Sequence, residues 1–217
     1  FSRYVLELRL MTKTDTKAVR AVFERLFEFY GVPKVIQSDN GPPFATPGLG
    51  GLSELSVWWI RLGITPERIE PGEPQQNGRH ERMHRTLKED TTSPPSPTRM
   101  GQQRAFDCFR RTYNQERPHE ALEMKTPASL FAPSRRHMPE KPKSPEYPDT
   151  MKVRKLDSLG RLAFAGQTTK TALSRLLARE PIGLKPMDED RWEVFYGPVL
   201  IAEVMLRGKE IRLDRKR

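Results

Sequence analysis

The chain has 217 residues, with 38 Lys and Arg against 28 Asp and Glu, a formal net charge of +10 and a pI near 9.9. That length holds one sizeable core plus a small second domain, and the charge favours a polyanionic partner. No apolar run approaches the ~18 residues of a membrane span, no signal peptide opens the chain, and the single Cys108 excludes an internal disulfide or thiolate cluster and fits a reducing cytoplasm.

In chain order, residues 3–11 read as a strand already under way, which places the first residues of the parent domain upstream of Phe1. Thr14, Asp15 and Thr16 offer N-cap oxygens. Apolar residues then recur at Val19, Val22, Phe23, Leu26, Phe27 and Tyr30, the spacing of a helix that Gly31 and Pro33 close. Val35-Ile36 form a short strand ending at Ser38-Asp39-Asn40-Gly41, and a Pro/Gly-rich loop runs from Pro42 to Gly51. Ser53 caps a second helix carrying Leu55, Trp58, Trp59 and Leu62. Ile64 to Ile69 is a short strand with Pro66 inside it, and a third helix runs from Gly78 to Glu89. Gln102 to Tyr113 forms a fourth helix, with Phe106, Phe109 and Tyr113 on one face.

Strands alternating with helices predict an α/β fold for residues 1–132. Residues 133–150 contain five prolines and few apolar groups, and they read as a semi-rigid extended linker. Beyond it, Lys152 to Leu156, Arg161 to Phe164, Trp192 to Tyr196, Val199 to Met205 and Ile211 to Leu213 are short strands separated by turn residues. They predict a small antiparallel β-barrel over 151–217, with Thr171 to Leu177 as a helical insertion. Its expected core is Val153, Leu156, Leu162, Phe164, Val194, Phe195 and Leu200. These 67 residues carry 15 Lys and Arg against 9 Asp and Glu, more than half of the charge excess.

Two carboxylates stand where chemistry is feasible. Asp39 ends a strand, where open α/β sheets collect their ligands, although Asp-Asn-Gly is also an ordinary turn sequence. Glu81 lies in the first turn of the third helix, sharing a face with Arg85 and Lys88 and with His84 beside them. Met83 and Leu87 point toward the core. A solvated face with i,i+4 ion pairs explains that stripe as readily as an acid holding a metal beside phosphates does.

The combination is more specific. Ser38-Asp39-Asn40-Gly41-x-x-Phe44, then Trp58-Trp59 and Gly63-Ile64, then Pro74-Gln75-x-Asn77-Gly78-x-x-Glu81-Arg82, resembles the catalytic core of retroviral integrases and bacterial insertion-sequence transposases. So does Tyr113-Asn114-x-x-Arg117-Pro118-His119-x-Ala121-Leu122 with Thr126-Pro127, which is closer to the insertion-sequence branch. The resemblance covers Phe1 to about Phe131, and residues 151–217 resemble that branch's C-terminal domain.

The resemblance implies an RNase H-like mixed sheet flanked by helices, incomplete at its N-terminus, with three acids around two Mg²⁺ or Mn²⁺ ions. Asp39 matches the second acid and Glu81 the third, and their carboxylates should converge at one edge of the sheet. The first acid belongs to a strand upstream of Ser2; Asp15, at a helix start, is explained by capping. The implied activity is metal-dependent phosphodiester hydrolysis and strand transfer on double-stranded DNA, at transposon ends and target, by a homo-oligomer. Asn40, Gln75, Asn77, Arg79, Arg82, Arg85 and Lys88 are the implied DNA contacts, the cations mainly to phosphate. With two of three acids present, the alternative is a non-catalytic DNA-binding or assembly remnant. His119 is expected to order the Arg117-Pro118 turn.

Overall fold

The computed structural model describes residues 1–69, 78–207 and 210–215, without the side chains of residues 79, 80, 207, 210, 212, 213 and 215. Among these residues five α-helices, α1 (Thr16–Tyr30), α2 (Glu54–Arg61), α3 (Gly78–Thr91), α4 (Arg99–Gln115) and α5 (Pro127–Leu130), accompany a parallel pair, β1 (Val35–Ser38) with β2 (Thr65–Arg68). The antiparallel strands follow: β3 (Lys152–Lys155), β4 (Ala163–Phe164), β5 (Gln167–Thr168), β6 (Pro181–Pro186), β7 (Arg191–Tyr196), β8 (Val199–Arg207) and β9 (Glu210–Arg215). The chain divides into two compact units, residues 1–14, 21–31 and 69–137 against residues 15–20, 32–68 and 138–217.

The first unit is organised by α4. Thr98 caps it by accepting from the Gly101 N–H at 3.1 Å, and Phe109 and Tyr113 are buried on one face with their rings stacked at 5.5 Å. The expected strand over 3–11 does not form. The segment is extended, but its backbone pairs with side chains of α4 instead of with another strand. Asn114, buried, donates to the Val5 carbonyl and accepts from the Val5 N–H, both at 2.9 Å. Gln103 bridges the Leu8 carbonyl and the Leu10 N–H, again at 2.9 Å each, and Arg110 donates to the Leu6 carbonyl at 2.7 Å. An amide side chain carries the same donor and acceptor as a peptide group, so two amides stand in for a neighbouring strand. Tyr4 stacks on Phe131 at 4.2 Å, and Tyr30 meets the same ring edge-on at 5.7 Å. Gly31, at φ +77°, ends α1 in the left-handed region, where a Cβ would collide with the Ser134 carbonyl.

In the second unit, Asp15 caps α1 through Ala18 N–H at 2.8 Å, and α2 begins with a reciprocal capping box between Ser53 and Ser56. The strands of the tail form an open five-stranded sheet in the order β3-β6-β7-β8-β9. β3 and β9 are its edges, with no pairing between them among the described residues, so the expected barrel is corrected to an open sheet. β6 was not anticipated. Prolines at both its ends and Gly183 inside it masked a strand whose Ile182 and Leu184 are fully buried.

Of the expected core, Leu156, Leu162, Phe164 and Val194 are buried, whereas Val153 is 45% exposed and Phe195 and Leu200 are half-buried. Register explains Val153: it lies opposite Gly183, on the face away from Ile182 and Leu184. One apolar cluster joins the sheet to Leu49, Leu52, Val57 and Ile60. The Cβ-free surfaces of Gly50 and Gly197 let the chain pass close to Ile201 and Ile60, respectively. The proline-rich stretch is extended and pinned. Lys143 N–H donates to the Arg61 carbonyl at 3.1 Å and Ser144 donates to Glu180 at 3.0 Å. The Tyr147 ring lies over Gly183, its hydroxyl 3.0 and 3.2 Å from the Pro181 and Phe195 carbonyls and accepting from Gly197 N–H at 3.1 Å.

Two outcomes follow from these contacts. Asn114→Leu keeps the branched shape but leaves the Val5 N–H and carbonyl unpaired, and should lower stability by about 2–3 kcal/mol in urea titration, with faster amide exchange at Val5. Burial pushes the Tyr147 phenol up to about 12. The fold therefore favours its protonated form, and that contribution is complete below the ordinary value of 10.0 and lost as pH rises through about 12. Tyr147→Phe should weaken the alkaline loss of stability over that window; an unchanged pH profile would contradict it.

Candidate metal and nucleic-acid site

Asp39 follows β1, in the second unit, at the carboxyl end of a parallel strand pair in which Ser38 lies opposite Arg68. It is exposed, and its Oδ1 accepts from the Gly41 N–H at 3.2 Å. Asp-Asn-Gly is therefore a genuine Asx turn, and the turn uses one carboxylate oxygen while Oδ2 takes no hydrogen bond or ion pair among the described residues. The loop is anchored downstream. Phe44 N–H donates to the Gly41 carbonyl at 3.0 Å, the Phe44 ring stacks on Trp59 at 6.1 Å, and the Ser53 hydroxyl donates to the Phe44 carbonyl at 2.9 Å. The aromatic of the Asp-Asn-Gly-x-x-Phe motif thus holds the carboxylate's loop against α2. Asn40 is exposed beside it.

Glu81 lies in the first unit, in the first turn of α3, where unpaired N–H groups of the helix favour an anion. It is exposed, and so are Arg82, His84, Arg85 and Lys88. The i,i+4 ion pair with Arg85 that a purely solvated face would favour is not formed. Among the described residues the side chains of Glu81, Arg82, Arg85 and Lys88 make no ion pair, so one carboxylate and three cations on one helix remain open to an outside ligand. Met83 and Leu87 are half-buried rather than core residues. α3 is fixed to α4 through buried Gln102, which donates to the Thr91 carbonyl at 2.9 Å and accepts from Ser96 N–H at 2.8 Å. Gln75, Asn77 and the Arg79 side chain lie outside the described residues.

The Tyr113-to-His119 motif serves the scaffold. Asn114 clamps Val5, and His119 sets its ring edge-on to Tyr113 at 4.6 Å, with Nε2 at 3.4 Å from the Tyr113 carbonyl. Burial, opposed by that carbonyl contact and aided by Arg117 and Arg3, lowers the His119 pKa. The His119 carbonyl accepts from Leu122 and Met124, closing the turn after Pro118. What sequence reasoning missed is the clamp itself. Asn114 was part of a motif, but its partner lies 109 residues away.

No group of three or more His, Cys, Asp or Glu side chains that could hold a metal occurs among the described residues, and no helix of the described residues is long and apolar enough to cross a membrane. Residues 62–127 match the family model described as Integrase core domain. The 31.7 kDa protein of insertion element IS407 from Burkholderia multivorans is 29% identical over 118 residues, 54% of this chain and 40% of that protein. The 39.2 kDa protein of insertion element IS476 from Xanthomonas euvesicatoria is 32% identical over 105 residues, 48% of this chain and 29% of that protein. The Gag-Pol polyprotein of baboon endogenous virus is 36% identical over 92 residues, 42% of this chain and 5% of the polyprotein. The chain thus spans well under half the length of these relatives. The matched core takes in α3 with Glu81 and the whole of α4, and the relatives come from both the insertion-element and retroviral branches. Residues 62–127 thus resemble the integrase core shared by insertion-element and retroviral proteins.

Proposed function

We propose that the chain acts on double-stranded DNA in transposition, as the core of a DDE transposase with an RNase H-like arrangement, working as a homo-oligomer on transposon ends and target. The observation that carries this reading is α3. Glu81 shares the helix with Arg82, Arg85 and Lys88, none of them ion-paired among the described residues, inside the region matched to the integrase core. Asp39, with one oxygen in its turn and the other unbonded among the described residues, is the second acid of the set.

The donor set fits a hard divalent cation, since both are exposed carboxylates. Asp39 and Glu81, with further oxygen ligands, would hold Mg²⁺ or Mn²⁺, which would supply Lewis acidity for phosphodiester displacement. The chain's own residues bind and orient. Arg82, Arg85 and Lys88 neutralise backbone phosphates, which gives affinity and register more than base selectivity; Arg79 joins them in this reading. Asn40, Gln75 and Asn77 place amides beside the scissile phosphate.

One observation favours a second reading, in which the 217 residues bind DNA and assemble without chemistry. Asp15, the one other aspartate before Asp39, is committed to capping α1, which leaves Asp39 and Glu81 as the two candidate carboxylates where a metal pair needs its charge balanced by more.

Fluorescence anisotropy on duplex DNA tests the shared core of both readings. Affinity should fall steeply with salt, and Arg82→Ala should weaken all sequences alike while reducing the salt slope by about 1. Salt-insensitive binding, or a loss confined to one sequence, would contradict the phosphate assignment. A Mg²⁺-dependent nicking assay separates the readings: cleavage abolished by Glu81→Gln supports the enzyme, and binding with no cleavage supports the assembly module.

A further inference from the structure

The face of α4 that carries Cys108 is open. A hollow of about 510 Å³ is lined there by Arg104, Arg110 and Arg111, with Tyr4, Tyr30 and Asp107 on its walls. The single carboxylate among these groups is engaged, since Asp107 accepts from Gln103 at 3.0 Å. Arg104 makes no hydrogen bond or ion pair among the described residues. Among the described residues Arg111 pairs with Glu116 alone, at 4.0 Å, and both side chains are well exposed, a pairing of little energetic weight. Arg110 is held by the Leu6 carbonyl at 2.7 Å and by Glu7 at 3.8 Å, which fixes its guanidinium at the rim. Burial, then the neighbouring Tyr4, raises the Tyr30 pKa, so its hydroxyl stays protonated as a donor. A second hollow of about 370 Å³ continues past Asp107 and brings in Arg9 and Arg99, with Glu7 on its wall paired to Arg9 at 3.8 Å. From Arg99 to Arg111 the cations follow roughly 18 Å of helix.

We propose that this groove on α4 is a second nucleic-acid surface, separate from α3, that takes the phosphate backbone of a DNA strand. The proposal rests on the DNA-binding reading given above. Guanidinium forks are matched to phosphate oxygens, and a basic groove that follows one direction suits a linear polyanion better than a compact ligand. A second copy of this chain fits poorly. Two such grooves face to face would set arginine against arginine, whereas subunit interfaces are depleted of charge at their centres.

The sole cysteine of the chain reports on the groove directly. Cys108 is exposed and lines the first hollow, so its alkylation by a maleimide can be timed on the intact protein while anisotropy measures total DNA binding. Saturating duplex at low salt should slow alkylation severalfold, and added salt should restore the free rate. Arg104→Glu with Arg111→Glu should abolish that protection and lower the salt slope of binding, while α3 still retains DNA; neither arginine is buried, and thermal unfolding should be unchanged. DNA that binds without protecting Cys108 would overturn the groove and leave the function reading standing, whereas an absence of any DNA binding would end both. Protection that grows with protein concentration without DNA would assign the groove to self-association, and protection by inorganic phosphate with none by duplex would assign it to a small anion. Either result overturns the proposal.

Discussion

A backbone N–H or carbonyl withdrawn from water must find a partner, and in this protein that constraint is met at the N-terminal segment by α4. Asn114 and Gln103 present amide groups to Val5, Leu8 and Leu10 as a paired strand would, at four hydrogen bonds of 2.9 Å. Each contributes about 1 kcal/mol net, but leaving any one of them unmade costs more. The clamp sets the segment against α4, and Gln102 on the same helix ties down the end of α3. Through these three side chains, α4 positions both the helix of Glu81 and the arginine groove on its own surface.

The same economy governs the second unit. The Asp39 loop is held by one stacked aromatic and a capping serine, not by burial of the acid itself. Its carboxylate stays exposed and accessible to a cation. The sheet below is bound to the proline-rich stretch by Tyr147 and by Glu180, which accepts from both Ser144 and Tyr196 at 3.0 Å. Burial, reinforced by Glu180, holds the Tyr196 phenol well above its ordinary range, so this joint keeps its protons through neutral pH.

Elements governed by local chemistry were legible in the sequence. The 3.6-residue periodicity and the caps at Asp15 and Ser53 place α1 and α2, whereas the Thr98 cap of α4 emerged only from the structure. Elements governed by distant partners were not. Residues 3–11 have the pattern of a strand, but pairing depends on side chains 93 to 109 residues away. β6 was hidden because proline argues against a strand, yet Pro181 and Pro186 sit at its ends, where a missing N–H is tolerated. Barrel closure was an inference from strand count, and the sheet order shows two free edges. For the candidate site, motif order singled out Asp39 and Glu81 as candidates, while the arginine groove emerges only when α4 is folded against the N-terminal segment.

Asp39 and Glu81, with 41 residues between them, are both proposed as ligands of a divalent cation. The most direct measurement is Mn²⁺ binding followed by electron paramagnetic resonance for the parent chain, Asp39→Asn, Glu81→Gln and the double variant. Two ligands of one centre are coupled, so their losses do not add. The account predicts weak, saturable binding that either single substitution reduces as far as the double one does. Losses that sum independently, or binding unchanged by both substitutions, would contradict it.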